Sequence, residues 1–280
     1  LSKNQPNSTH FIFRKIMTSV STRELCAWLD TTLKVASFKD YCPNGLQVEG
    51  LERVSHIIAG VTASQALIDI AIARGADALL VHHGWFWRGD DPRIRGTQRT
   101  RLASLLAANI NLLAYHLPLD AHPTLGNNAQ LASRLGLVVA RQEPIAGDSV
   151  GAPRTAGASN LIWLGSMPGA ATLGEVAAQV ASRLGRKPLM VGAPEQPAET
   201  IAWCTGAAQG MFSEAIDTGA DLFITGEVSE PTVHLARESG VGFIGAGHHA
   251  TERYGVQALA QAIQQQFGIK VDFIDIDNPV

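Results

Sequence analysis

Five imidazole and carboxylate side chains stand where apolar runs give way to loops: His82 and His83 after ALLV, Asp120 after INLLAY, and His248 and Glu252 after VGFIGAG. A second regularity joins them, His116-x-x-x-Asp120 and His248-x-x-x-Glu252. Residues four apart are neighbours on one helix face, so each segment presents both side chains together if it opens a helix. ATERYGVQALAQAI after His248 reads as that helix. Donors of this kind without a thiolate suit divalent ions such as Zn, Fe, Mn or Ni, not a Cys-type structural zinc. Five ligands exceed one tetrahedral site and suit two ions bridged by a carboxylate and a hydroxide. Glu252 is the expected bridge. Each feature alone has a plainer origin, since His-His pairs are common at turns and H-x-x-x-E recurs in many helices. Their recurrence at equivalent strand ends favours the metal centre.

Other residues fill in the surroundings. His116 lies one helical turn before Asp120 and is expected to face the same cleft, as an orienting group or as the catalytic proton carrier. Glu227 ends the strand LFITGE, where it could hydrogen-bond a ligand histidine or stand solvated. His249 is expected to point away, and His122 to cap the Pro123 loop. The stretch Trp85 to Arg101 carries five Arg. Guanidinium forks match phosphate oxygens, although a solvated or subunit-contact loop with Trp85 and Trp87 packed beneath it is the blander reading. Cys42 has no evident His partner, so cysteine nucleophilic catalysis is disfavoured. No P-loop, G-x-G-x-x-G or G-x-S-x-G motif occurs, so no dinucleotide-type cofactor site is expected.

The elements that must position these residues alternate between strand and helix. Ser21 and Glu24 form a capping-box pattern opening a helix. A Pro-Asn-Gly turn lies in DYCPNGLQVEG, followed by a strand at 56–61, a helix at 64–74, a strand at 78–81, a helix near 101–108 and the strand INLLAY. Such alternation indicates α/β architecture in three layers. The second half resembles the first: at an offset of 144 residues, Ile57 to Asp77 matches Ile201 to Asp221 at eight of 21 positions, including the whole Gly-Ala-Asp turn. An offset of 132 lays His116-x-x-x-Asp120 over His248-x-x-x-Glu252. Two similar α/β/α halves related by an internal repeat are therefore expected, 17–145 and 146–280, with a Gly- and Pro-dotted joint from Pro144 to Gly157. The C-terminal segment is free to pack with the first half. Loops at the carboxyl ends of strands line the crevice of such sheets.

Composition narrows the function classes. The 280 residues carry 22 Lys and Arg against 25 Asp and Glu, a formal net charge of −3, which excludes a protein acting mainly as a polycation. Three Cys without a C-x-x-C argue against a disulfide scaffold and point to a reducing, cytoplasmic location. No apolar run reaches the roughly 18 residues that span a bilayer, so no membrane partner is expected. Leu1 to Ile16 is polar and precedes Met17; it reads as a tag or upstream extension, and His10 goes with it.

The motifs DYCPNGLQVEG, GVTAS, LLVHHG, YHLPLDAHPTLGNN, GADLFITGE and GHHATERYG stand in an order that resembles the NIF-three-like dinuclear metal proteins, the type 2 GTP cyclohydrolase I-like family, from about Thr18 to the C-terminus. The resemblance implies His82, His83, Asp120, His248 and Glu252 as ligands of two divalent metal ions. It also implies two intertwined halves, a ring-like homo-oligomer such as a hexamer, and a short form without a middle domain. The implied activity is metal-dependent hydrolysis of a nucleotide or other phosphate-bearing heterocycle, with water attacking a purine imidazole ring. Two other functions fit the same residues: a non-catalytic metal-binding oligomeric adaptor, store or regulatory protein, and a nucleic-acid-processing factor using the Arg-rich loop.

Overall fold

A computed structural model describes residues 18–143, 151–157 and 160–280. The 1–16 extension with His10, and the first half of the expected joint at 144–157, lie outside the described residues.

The described residues begin with β1 (Val20–Ser21) and α1 (Thr22–Thr32), where Ser21 Oγ accepts from the Glu24 N–H as the N-cap. Then follow β2 (Gly45–Val48), β3 (Arg53–Val54), β4 (His56–Thr62), α2 (Gln65–Ala73), β5 (Ala78–His83), α3 (Gly96–Ala108), β6 (Asn111–Ala114), α4 (Leu117–Ala121) and α5 (Asn127–Leu135). The second part contains β7 (Val138–Val139), β8 (Thr155–Ala156), β9 (Ile162–Ser166), α6 (Leu173–Leu184), β10 (Leu189–Val191), β11 (Ile201–Trp203), α7 (Phe212–Asp217), β12 (Leu222–Thr225), α8 (Glu230–Ser239), β13 (Gly242–Gly245), α9 (His248–Phe267) and β14 (Lys270–Phe273). The helix expected near Arg101 starts earlier, at Gly96, so Arg99 and Arg101 lie on α3 and not in a loop.

Two sheets organise these elements. The first has the order β14-β4-β5-β6-β2, with β14, β4, β5 and β6 parallel. In the second, β11, β12 and β13 are parallel, flanked by antiparallel β10 and β9. Each carries three consecutive parallel strands in chain order. Both are covered on two faces, because successive strand side chains point to opposite sides. In β4 and β5, Ile57, Ala59, Ala78 and Leu80 pack towards α1 and α9, while Ile58, Leu79 and Val81 pack towards α2 and α3. In the second sheet, Ile201, Trp203, Leu222 and Ile224 join α5 and α6, while Ala202, Phe223 and Phe243 join Phe212 of α7 and Ala236 of α8. These are three-layer α/β/α arrangements.

The chain crosses between the two sheets in both directions. Leu131 and Leu135 of α5, reached from the first sheet, are buried in the second sheet's core. Helix α9 starts at the second sheet with Ala250 in that core, yet its Val256, Leu259 and Ile263 lie in the core under the first sheet. Strand β14 then adds to β4 in parallel register, Lys270 opposite His56. This crossing puts the carboxyl ends of both parallel sets beside one cleft.

Candidate metal centre

The strand ends deliver the donors. His82 and His83 finish β5; His116 and Asp120 follow β6 on α4; His248 and Glu252 open α9 after β13. All five sequence-derived ligands meet, with His116 beside them. Glu252 stands at the middle: its Oε1 is 3.5 Å from His82 Nε2, and its Oε2 is 3.2 Å from His83 Nε2 and 3.1 Å from His248 Nε2. Asp120 Oδ1 lies 3.4 Å from His82 Nε2. Two groups share Glu252, one of His82, Asp120 and Glu252, wholly buried, and one of His83, His248 and Glu252, opening to the cleft.

Every imidazole is held by its far nitrogen. His82 Nδ1 meets the Tyr115 carbonyl at 2.9 Å, His83 Nδ1 the Thr62 hydroxyl at 3.3 Å, His116 Nδ1 the Asp40 carboxylate at 2.8 Å, and His248 Nδ1 the Glu227 carboxylate at 2.7 Å. Each ring therefore presents Nε2, the arrangement that orients histidines towards a cation. The residues also fit a cation by what they leave unsatisfied. Among the described residues, Glu252 Oε2 is buried without a hydrogen bond of good geometry, with only the Nε2 atoms of His83 and His248 beside it at 3.2 and 3.1 Å. Buried carboxylate oxygens are seldom left so, and a shared positive ion would satisfy it together with the neighbouring nitrogens.

The backbone beneath is glycine for steric reasons. Gly206, at φ +70°, lies against the Glu252 carboxylate, and a Cβ there would collide with it. Gly226 sits against the Gly206 carbonyl and the His248 backbone, 2.6 Å from where its Cβ would be. Asparagines complete the floor. Asn127 donates to Asp120 at 2.8 Å and accepts from the Gly255 N–H at 3.0 Å, while Asn128 accepts from the Thr205 N–H at 3.1 Å.

Burial opposes the charged form of His82, but Asp120 and Glu252 outweigh it and lift its pKa to about 9. His248 follows the same balance, burial against Glu252 and Glu227, and also rises to about 9. His83 goes the other way, to about 3, because burial dominates over Glu252 and the other histidines add repulsion. Asp120 is raised by its burial. Glu252 is lowered: burial resists its charge, and His83 and His82 overcome that resistance. Burial also resists Asp40, yet the hydrogen bond and charge of His116 bring it down to about 2.

Several of these partners escape a reading of the sequence. Asp40 opens the Asp-Tyr-Cys-Pro-Asn-Gly turn and accepts from the Leu117 N–H and Asn44 Nδ2 as well as meeting His116. The motif is visible, but its pairing with a residue 76 positions away is not. Cys42, without an evident His partner in sequence, does lie beside His116, with ligand-type atoms of Asp40, Cys42 and His116 all within 4.8 Å. Burial, followed by Asp40 and Asp120, pushes its thiol up to about 12, so it offers no thiolate. Glu227 takes the ligand-orienting alternative. His249 turns away to Asp275 at 2.7 Å, and His122 Nδ1 accepts from the Leu125 N–H at 2.9 Å.

A cleft of 1140 Å³ opens over this centre, with Trp87, Arg93, Arg95 and Arg101 among its walls. Trp85 packs beneath the segment as expected, buried with its indole N–H donating to the Ala63 carbonyl. Trp87 does not. Its ring faces the cleft, 4.9 Å from the His116 ring centre. Asp91 engages both Arg93 and Arg95, at 2.7 and 2.9 Å, so the loop is less cationic than its composition. Among the described residues, no helix is long and apolar enough to cross a membrane.

Comparison with known proteins agrees with this arrangement. The GTP cyclohydrolase 1 type 2 homolog of Neisseria meningitidis serogroup A is 50% identical over 260 residues, covering 93% of this chain and 99% of its own length. Its namesake from Pseudomonas aeruginosa is 52% identical over 250 residues, covering 89% and 95%. A solved structure described as protein ybgI, of unknown function, superposes with a TM-score of 0.84 at 48% identity, covering 93% of this chain and 100% of that one. The Duf34/NIF3 (NGG1p interacting factor 3) family model matches residues 20–279, the span that brings both parallel sheets to the histidine and carboxylate cluster, and the chain belongs to that family.

Proposed function

We propose that this protein is a hydrolase dependent on two divalent ions, acting on a nucleotide or related phosphate-bearing heterocycle. The observation that carries the proposal is the Glu252 carboxylate, buried among three imidazoles, with one oxygen that has no hydrogen bond of good geometry among the described residues. His82 and Asp120 would hold one ion, His83 and His248 the other, with Glu252 common to both. Bound divalent ions supply Lewis acidity and bring the pKa of a water towards neutrality. The name shared by the Neisseria and Pseudomonas relatives, GTP cyclohydrolase 1 type 2 homolog, supports a heterocycle such as GTP as substrate.

The chain's own residues divide the remaining work. Asp40, ionised above about 2, accepts from His116 Nδ1 and so turns Nε2 of that ring towards the cleft. His116 can then take a proton from attacking water and return it to the departing nitrogen or oxygen of the substrate. Thr62, Tyr115 and Glu227 keep the remaining rings from rotating. Trp87 and Leu117 wall the cleft and limit water at the reacting atoms.

Turnover assays test the proposal with GTP and a panel of other nucleotides, using protein reconstituted with Zn, Fe, Mn or Ni. At least one pair of nucleotide and metal is expected to turn over, with kcat lowered about a hundredfold or more in His116→Ala at unchanged metal content. Fully metal-loaded protein that converts none of the panel would overturn the catalytic reading and favour the non-catalytic adaptor.

A further inference from the structure

Between Trp85 and Trp87 of the cleft wall, one bulky residue has a backbone conformation that its side chain disfavours. Phe86 has φ +65°, in the left-handed region, where a Cβ-bearing aromatic residue is a genuine outlier. Such strain persists only where neighbouring contacts over-determine it, and it clusters at ligand-handling segments. The chain on either side of Phe86 is anchored, at Trp85 and at Arg88. On one side Trp85 is fixed by its N–H to Gln47 at 2.7 Å and by its indole to the Ala63 carbonyl at 3.1 Å. On the other, the Arg88 N–H donates to the Tyr41 carbonyl at 2.7 Å, and its guanidinium reaches the Asp40 carbonyl at 2.9 Å. The 85–88 segment is thus tied to the same loop that orients His116.

The consequence falls on Trp87. With its neighbours pinned and the chain turned at Phe86, the indole is brought over the centre, 4.9 Å from the His116 ring and 6.0 Å from the His83 ring. It meets His116 edge to face, at 86°. The ring is only partly buried and lines the cleft, and among the described residues its Nε1–H has no protein acceptor. A tryptophan serving only as core would be buried as Trp85, Trp163 and Trp203 are, and would not line the cleft over the histidines.

We propose that Trp87 is a substrate-positioning residue, the aromatic platform on which a flat heteroaromatic base lies beside the metal-type centre. This deepens the proposed function and rests on it for the presence of a reacting group at that centre. Stacking against an aromatic side chain is tolerant of base identity and favours any planar ring over a ring-less phosphate. The nearby Arg93 and Arg95 would meet the phosphates of the same ligand after release from Asp91.

Equilibrium dialysis separates the ring from the phosphate, using GTP and inorganic tripolyphosphate as probes on the full chain, zinc-loaded and metal-free. Wild type is expected to bind GTP more tightly than tripolyphosphate in both states. Trp87→Ala and Trp87→Leu should each weaken GTP binding about tenfold or more, and Trp87→Phe by no more than about threefold. Tripolyphosphate binding should be the same in all four proteins. The leucine variant keeps apolar bulk without a ring face, so it separates loss of stacking from loss of folding. Equal GTP affinity in wild type and Trp87→Leu would overturn the proposal, as would GTP binding no tighter than tripolyphosphate. Metal content measured on the same samples keeps the two readings apart: a protein that binds no metal yet loses GTP with Trp87 contradicts the metal centre and supports the platform.

Discussion

A bound cation would compete with protons for the same lone pairs in this centre. His82 and His248 keep their protons up to about 9, above the ordinary histidine value of 6.5. In the metal-free protein these raised values stabilise the fold fully below about 6.5, and that contribution is lost as pH rises through about 9. A cation requires the neutral rings, so metal affinity should climb over the same interval. Zinc uptake near neutrality is expected to release about two protons, one from each histidine, which calorimetry in buffers of different ionisation enthalpy would count. An affinity flat from pH 6.5 to 9, with no proton release, would contradict this charge arrangement.

The strands and turns decide whether those side chains meet. β5, β6, β12 and β13 were legible because they are short apolar runs ending in turn signals, and because β-branched and leucine residues fill their buried positions. The first turn of α3 was not, since Gly96-Thr97-Gln98 has neither a capping side chain nor an apolar stripe. Nor could spacing reveal the orienting contacts, which join residues far apart in sequence: Asp40 to His116, Asn127 to Gly255 and Asn128 to Thr205. The five ligand-type residues were legible because each lies at a strand end. Gly206 tests how closely the turn after β11 must approach. Gly206→Ala places a Cβ at positive φ and against Glu252, so a loss of about 1–3 kcal/mol is expected in denaturant unfolding, together with weaker metal retention. An alanine variant with wild-type stability and metal content would show that the approach is not needed.

The whole chain is tied together at this site. His82, His83 and Asp120 come from the first sheet, His248 and Glu252 from the end of the second, and α5, α9 and β14 each pack away from the sheet that precedes them. The three-layer pattern could be read from the alternation of elements. The exchange of helices was implied only by the family resemblance and not by the pattern itself, because the apolar faces of α5 and α9 would suit either sheet. Ions bound between donors of both sheets would join those sheets directly, beyond the packing of the crossed helices. Elemental analysis of purified wild type beside Glu252→Ala, both shown folded by circular dichroism, tests the central claim most directly. About two transition ions per chain are expected in wild type, with most of that metal lost in the variant, because one carboxylate serves both groups. Full metal in Glu252→Ala, or none in wild type after reconstitution, would contradict the account.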